Sequence, residues 1–103
     1  MKQKLFKEYT KSVCKSVNID AKTLFTKTKR RDVVDARFLL YYICFERPMR
    51  IRDIQEYMKD EGYDTNHSGI IKGIDIMKNR INSDQDYKNV YNEIIKKSNY
   101  ALL

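Results

Sequence analysis

The stretch Asp32-Val33-Val34-Asp35-Ala36-Arg37-Phe38-Leu39-Leu40-Tyr41-Tyr42-Ile43-Cys44-Phe45-Glu46 decides how this chain folds. Ala36, Leu39, Leu40, Ile43 and Cys44 recur at helical spacing, and the polar flank lacks the alternation of a strand. From Phe38 to Phe45 the segment is apolar nearly all round, which predicts a central buried helix from Val33 to about Glu46. Asp32 is expected to open it. Pro48 is expected to end it, because the residue before a proline avoids the helical region.

Further helices are predicted on both sides. Leu5, Phe6, Tyr9, Val13 and Val17 give a first helix from about Gln3 to Val17. Asn18 and Asp20 are turn or cap types, and a short helix around Ala21 to Thr26 follows. Ile51, Ile54, Tyr57 and Met58 mark a helix to Asp60, with Gly62 as its C-terminal stop. Asp64, Thr65 and Asn66 then cap a helix from His67 to Ile81. Its buried row is Ile70, Ile74, Met77 and Ile81, with Ile71 alongside. Ser83 and Asp86 have capping-box spacing and are expected to start a last helix carrying Tyr87, Val90, Tyr91 and Ile94. The tail, 98–103, is expected to fray. The fold class is therefore all-α, a bundle of about five to six helices in one domain spanning 1–103.

The charge is uneven. Residues 1–37 hold eleven Lys+Arg against four acids, which accounts for the whole net charge of +7; residues 38–103 hold ten of each. A basic excess is either a solvated surface or a footprint for polyanions. The cluster Lys27-Thr28-Lys29-Arg30-Arg31 favours the footprint, since a phosphate backbone relieves the mutual repulsion of like charges.

Several classes are set aside. No apolar run reaches the ~20 residues that span a bilayer, and the start has no apolar stretch of the signal-peptide kind. No membrane partner is expected, and the chain is expected to be soluble and cytoplasmic. Cys14 and Cys44 read as reduced thiols on apolar helix faces, and with His67 as the only histidine no metal site is expected. No phosphate loop of the GxxxxGK[ST] kind occurs. His67 lacks a nucleophilic partner in any recognisable motif, so neither catalysis nor a cofactor is expected.

The two short helices around Gly62 have the layout of a helix-turn-helix, whose second helix enters the DNA major groove by its N-terminal residues. Those residues are Asn66, His67, Ser68, Gly69, Ile71 and Lys72. Asn pairs with adenine, Ser bonds base or phosphate, and a neutral His donates or accepts.

The segment Leu24-Phe25-Thr26-Lys27-Thr28-Lys29-Arg30-Arg31-Asp32-Val33-Val34-Asp35-Ala36-Arg37 resembles the opening of the C-terminal DNA-binding domain of the bacterial replication initiator DnaA. That opening is a basic loop followed by a long helix with an Ala-Arg pair. Asn66-His67-Ser68-Gly69-Ile70-Ile71-Lys72-Gly73-Ile74 is similar to the start of that family's recognition helix. The resemblance covers roughly residues 12–95. It implies that His67 and Ser68 face bases, with Asn66 at the family's acidic position. It implies that Lys29 stands where the family inserts an arginine into the minor groove, and that Lys27, Arg31 and Arg37 contact phosphates, with Arg30 in the same basic cluster. Gly69 replaces a hydroxyl residue of the family.

The leading expectation is thus sequence-specific binding of double-stranded DNA, without ATPase activity, in replication or transcription control. A standalone domain of this kind would suit a phage or mobile element. The alternative is a protein-interaction module that kept the fold and binds a replication factor or a virion component.

Overall fold

The computed structural model describes the backbone of residues 2–47 and 49–102, and side chains as far as Lys97. Among the described residues the chain forms six helices and no strand: α1 (Lys2–Val17), α2 (Ala21–Leu24), α3 (Arg31–Glu46), α4 (Ile51–Asp60), α5 (His67–Ser83) and α6 (Gln85–Leu102). The all-α bundle expected from the periodicity is the observed architecture. Pro48 and the side chains of the tail after Lys97, where fraying was expected, lie outside the described residues.

The central position expected for α3 is observed, for it touches every other helix. Val33, Ala36, Leu39, Leu40, Ile43 and Cys44 are all at most 1% exposed. Phe6, Tyr9 and Val13 of α1, Ile54 and Met58 of α4, and Ile70, Ile74, Met77 and Ile81 of α5 join them in one core. The Phe6 ring sits 5.5 Å from Tyr57 and 6.4 Å from Phe25, joining α1, α2 and α4. Burial is not continuous around α3: Phe45 is 46% exposed. Ile71, expected beside the buried row of α5, is 51% exposed, because its position falls outside the arc holding Ile70, Gly73, Ile74 and Met77.

Local chemistry sets the ends. Asn18 adopts φ 57, and the Ile19 N–H reaches the Cys14 carbonyl, closing α1. Asp20 caps α2 by accepting from the Thr23 N–H at 2.7 Å. The α2 helix stops at Leu24 rather than Thr26. The α3 helix starts one residue before Asp32, with Arg30 at the N-cap position. Asp32 accepts from the Val33 N–H at 3.0 Å, serving a donor that the first turn leaves unpaired. The C-terminal end of α4 is a Schellman motif. Gly62, at φ +95, donates to Lys59, and Tyr63 donates to Met58, both at 2.9 Å.

The start of α6 differs from expectation. Ser83 is the last residue of α5, and its hydroxyl donates back to the Asn79 carbonyl at 2.8 Å. A serine bonded to its own preceding turn is not free to cap the next helix. Asp84, with extended backbone, does so instead, accepting from the Asp86 N–H at 2.9 Å. A network then fixes the far end of α5. Arg80 pairs with Asp35 of α3 at 2.8 Å, and the Tyr87 hydroxyl of α6 donates to the same carboxylate at 3.2 Å.

Both thiols are free, and burial pushes both upward in pKa, Cys44 far more than Cys14. At Gly73, an added Cβ would lie 2.6 Å from the Phe38 ring and 3.0 Å from Tyr41. This glycine lets α5 approach α3.

Leu40→Ala should cost about 2–5 kcal/mol by cavity formation, whereas Lys96→Ala should stay within about 0.5 kcal/mol. Gly73→Ala should destabilise by about 1–3 kcal/mol through overpacking, although alanine is the better helix former. Denaturant melts of the three variants check this ordering.

Candidate nucleic-acid interface

The basic loop between α2 and α3 is built around one buried cation. Arg37 lies on the inner face of α3 beside Val33, Leu40 and Cys44, and is only 4% exposed. Its Nε donates to the Leu24 carbonyl at 2.9 Å. Its Nη2 donates to the carbonyls of Thr26 and Thr28. The same guanidinium stacks on the Tyr63 ring, 4.5 Å from its centre. Five fixed donors and a flat cationic face suit arginine to this double task.

Arg37 was expected at a phosphate. Instead its donors are turned inward onto backbone carbonyls, so its contribution is to position the loop. The spacing carried this signal, because Arg37 falls four residues after Val33 and three before Leu40, both buried. Its carbonyl partners and Tyr63 had no sequence signal, since they are set by chain path rather than by side-chain pattern.

The loop has further order of its own. The Thr28 N–H bonds the Thr26 carbonyl at 2.8 Å, and the Arg30 N–H bonds the Thr28 hydroxyl at 3.2 Å. Lys27, Lys29, Arg30 and Arg31 are all exposed. Arg30 forms a two-pronged contact with Asp32, at 2.7 and 3.1 Å, which holds the Asp32 carboxyl below its usual range. Among the described residues Lys27, Lys29 and Arg31 form no ion pair, so the uncompensated charge of the loop is theirs.

Tyr63 belongs to the turn between α4 and α5, which spans 61–66. Gln55 of α4 donates to the Thr65 carbonyl at 3.0 Å. Burial pushes the Tyr41 phenol up to about 12, so it is neutral. Asn66 is the N-cap of α5, its Oδ1 accepting from the Gly69 N–H at 2.7 Å. The amide nitrogen of Asn66 is left over. So are the N–H groups of His67 and Ser68, a place where a helix attracts anions.

His67, Ser68, Ile71, Lys72 and Asp75 are all exposed and share the outer arc of α5. Through the Arg37–Tyr63 stack, the loop that carries Lys27 and Lys29 is held against the turn that leads into these residues. Among the described residues no group of three or more His, Cys, Asp or Glu could hold a metal ion, and no helix is long and apolar enough to cross a membrane.

Comparison with protein-family models, with curated proteins and with solved structures gives no match.

Arg37→Gln should leave carbonyls of the loop unpaired and cost about 2–3 kcal/mol. It should also raise the rate of trypsin cleavage at Lys27, Lys29 and Arg30 relative to the rest of the chain. Limited proteolysis followed by mass spectrometry reads this out directly. Arg37→Lys should rescue only in part, because a single ammonium cannot reproduce the planar fork.

Proposed function

We propose that this protein binds double-stranded DNA through α4, the turn and α5, in the manner of a helix-turn-helix like that of the DnaA C-terminal domain. The observation that carries the reading is the Arg37 clamp. It ties the cationic loop to Tyr63, in the turn that leads into α5. A duplex lying along α5 would meet both a surface for base edges and a surface for phosphates.

In this reading His67, Ser68 and Lys72 face the major groove, with the free amide of Asn66 at its edge. Ile71 offers its exposed side chain to a thymine methyl, as apolar groups do in that groove. Lys29 reaches the minor groove, and Lys27 and Arg31 neutralise phosphates. Arg30 joins them by exchanging Asp32 for a phosphate. The protein works without catalysis or cofactor, in the cytoplasm of a bacterial or phage-infected cell, where it controls replication or transcription by occupying a site.

A second reading, a module for a replication or virion protein, draws on Phe45 and Ile71. Both are large apolar side chains left exposed.

Selection from a random duplex library at two salt concentrations separates the two readings. An enriched motif supports DNA binding, and absence of retention at low salt supports the protein partner. His67→Ala should lose about 1–3 kcal/mol on the selected site while random duplex is bound nearly as before. Lys27→Ala with Arg31→Ala should weaken both duplexes and flatten the slope of log K against log salt by about two units. Equal losses on both duplexes for His67→Ala would make it a phosphate contact.

A further inference from the structure

The loop accounts for only part of the basic excess. Lys4, Lys7, Lys11 and Lys15 recur every three or four residues on α1, and all are exposed. That spacing puts them on one face of the helix, along about 16 Å of its axis. Phe6, Tyr9 and Val13 occupy the opposite face and are buried. Among the described residues none of the four lysines forms an ion pair. Lys2, which lies off this row, pairs with Asp53 at 3.2 Å. Acids near the row are few: Glu8 borders it, and Glu93 stands 4.0 Å from Lys97. At its C-terminal end the row opens into a shallow groove against α6, lined by Lys11, Ser12, Lys15, Ser16 and Lys97, with buried Ile94 as its floor.

The placement of α1 gives this face its meaning. The helix packs on α2, α3, α4 and α6, and not on α5. Its apolar side is turned to the core, so the lysines point away from α3. The lysine face is thus separate from the outer arc of α5.

We propose that the α1 lysine face, with Lys97, is a second, sequence-independent site for the phosphate backbone of DNA, so that one protein molecule holds two duplex segments. Five ammonium groups and two hydroxyls suit phosphate oxygens, and no base-reading geometry is required. A membrane surface fits less well. Among the described residues the exposed large apolar side chains, Phe45 and Ile71, lie on other helices, and a helix resting on lipid needs such anchors on its own apolar side. The bridging of two duplexes rests on the functional reading above; the affinity of the α1 face for phosphate does not.

The test immobilises one duplex, adds protein, and measures capture of a second, labelled duplex. Lys4, Lys7, Lys11 and Lys15 are changed together to Gln, and in parallel to Arg. Wild type and the Arg variant should capture the labelled duplex. The Gln variant should capture it about tenfold less and lose about three units from the salt slope of direct duplex binding. Circular dichroism checks that these surface changes leave the helices intact. Equal capture and equal slope for wild type and the Gln variant would overturn the proposal. So would loss of binding to anionic phospholipid vesicles with duplex binding unchanged. If His67→Ala with Lys72→Ala leaves binding to the library-selected duplex untouched, the functional reading fails. The α1 site then still stands or falls by whether the Gln variant weakens direct duplex binding, and a wild type that binds no duplex overturns both.

Discussion

A single guanidinium ties together the parts of this molecule on which its surface chemistry depends. Arg37 is a cation inside an apolar helix face, which is costly unless its donors are satisfied. Here backbone carbonyls supply the acceptors and the Tyr63 ring supplies the negative face. The exchange works in both directions. The carbonyls of a loop that makes no helix need partners, and the arginine gives them some. The result is a loop tied to α3, whose remaining cations, Lys27, Lys29 and Arg31, are exposed.

The same economy governs the helix termini. Asn66 spends its oxygen on the cap of α5 and keeps its amide, so the first turn is anchored while its donors still face solvent. Gly69 allows this tight closure, because an added Cβ would come within 3.1 Å of Thr65 and 3.2 Å of Asn66. At the other end, Arg80, Asp35 and Tyr87 lock α5 to α3 and α6. A helix pinned at both ends and buried along one side presents its outer arc as a fixed surface. Pre-organisation of that kind is what a binding face needs if ordering is not to consume the interaction energy.

Charge is distributed over two faces rather than one. The loop is tied through Arg37 and Tyr63 to the turn before α5, and the α1 lysines lie on a helix that does not touch α5. Summing the sequence charge merges them, since eleven basic residues fall within 1–37 whichever way they point. What separates them is the burial of Phe6, Tyr9 and Val13, which orients α1 with its lysines away from the core.

Periodicity alone determined the helices and their inner rows. Apolar spacing located α3, α4 and α5, with Ile51–Asp60 found at its observed limits, because burying a stripe leaves a three-to-four-residue pattern in any sequence. Turn chemistry at Gly62, Asp20 and Asn66 was legible for the same local reason: each acts on backbone groups within a few residues. Ser83 was misassigned because two adjacent polar residues competed for one cap, and only the path of the chain between α5 and α6 gave it to Asp84. The inward turn of Arg37, the exposure of Ile71 and the meeting of loop with turn were decided by the tertiary structure. Each depends on groups far apart in sequence, such as Arg37 and Tyr63, whose encounter no local pattern records.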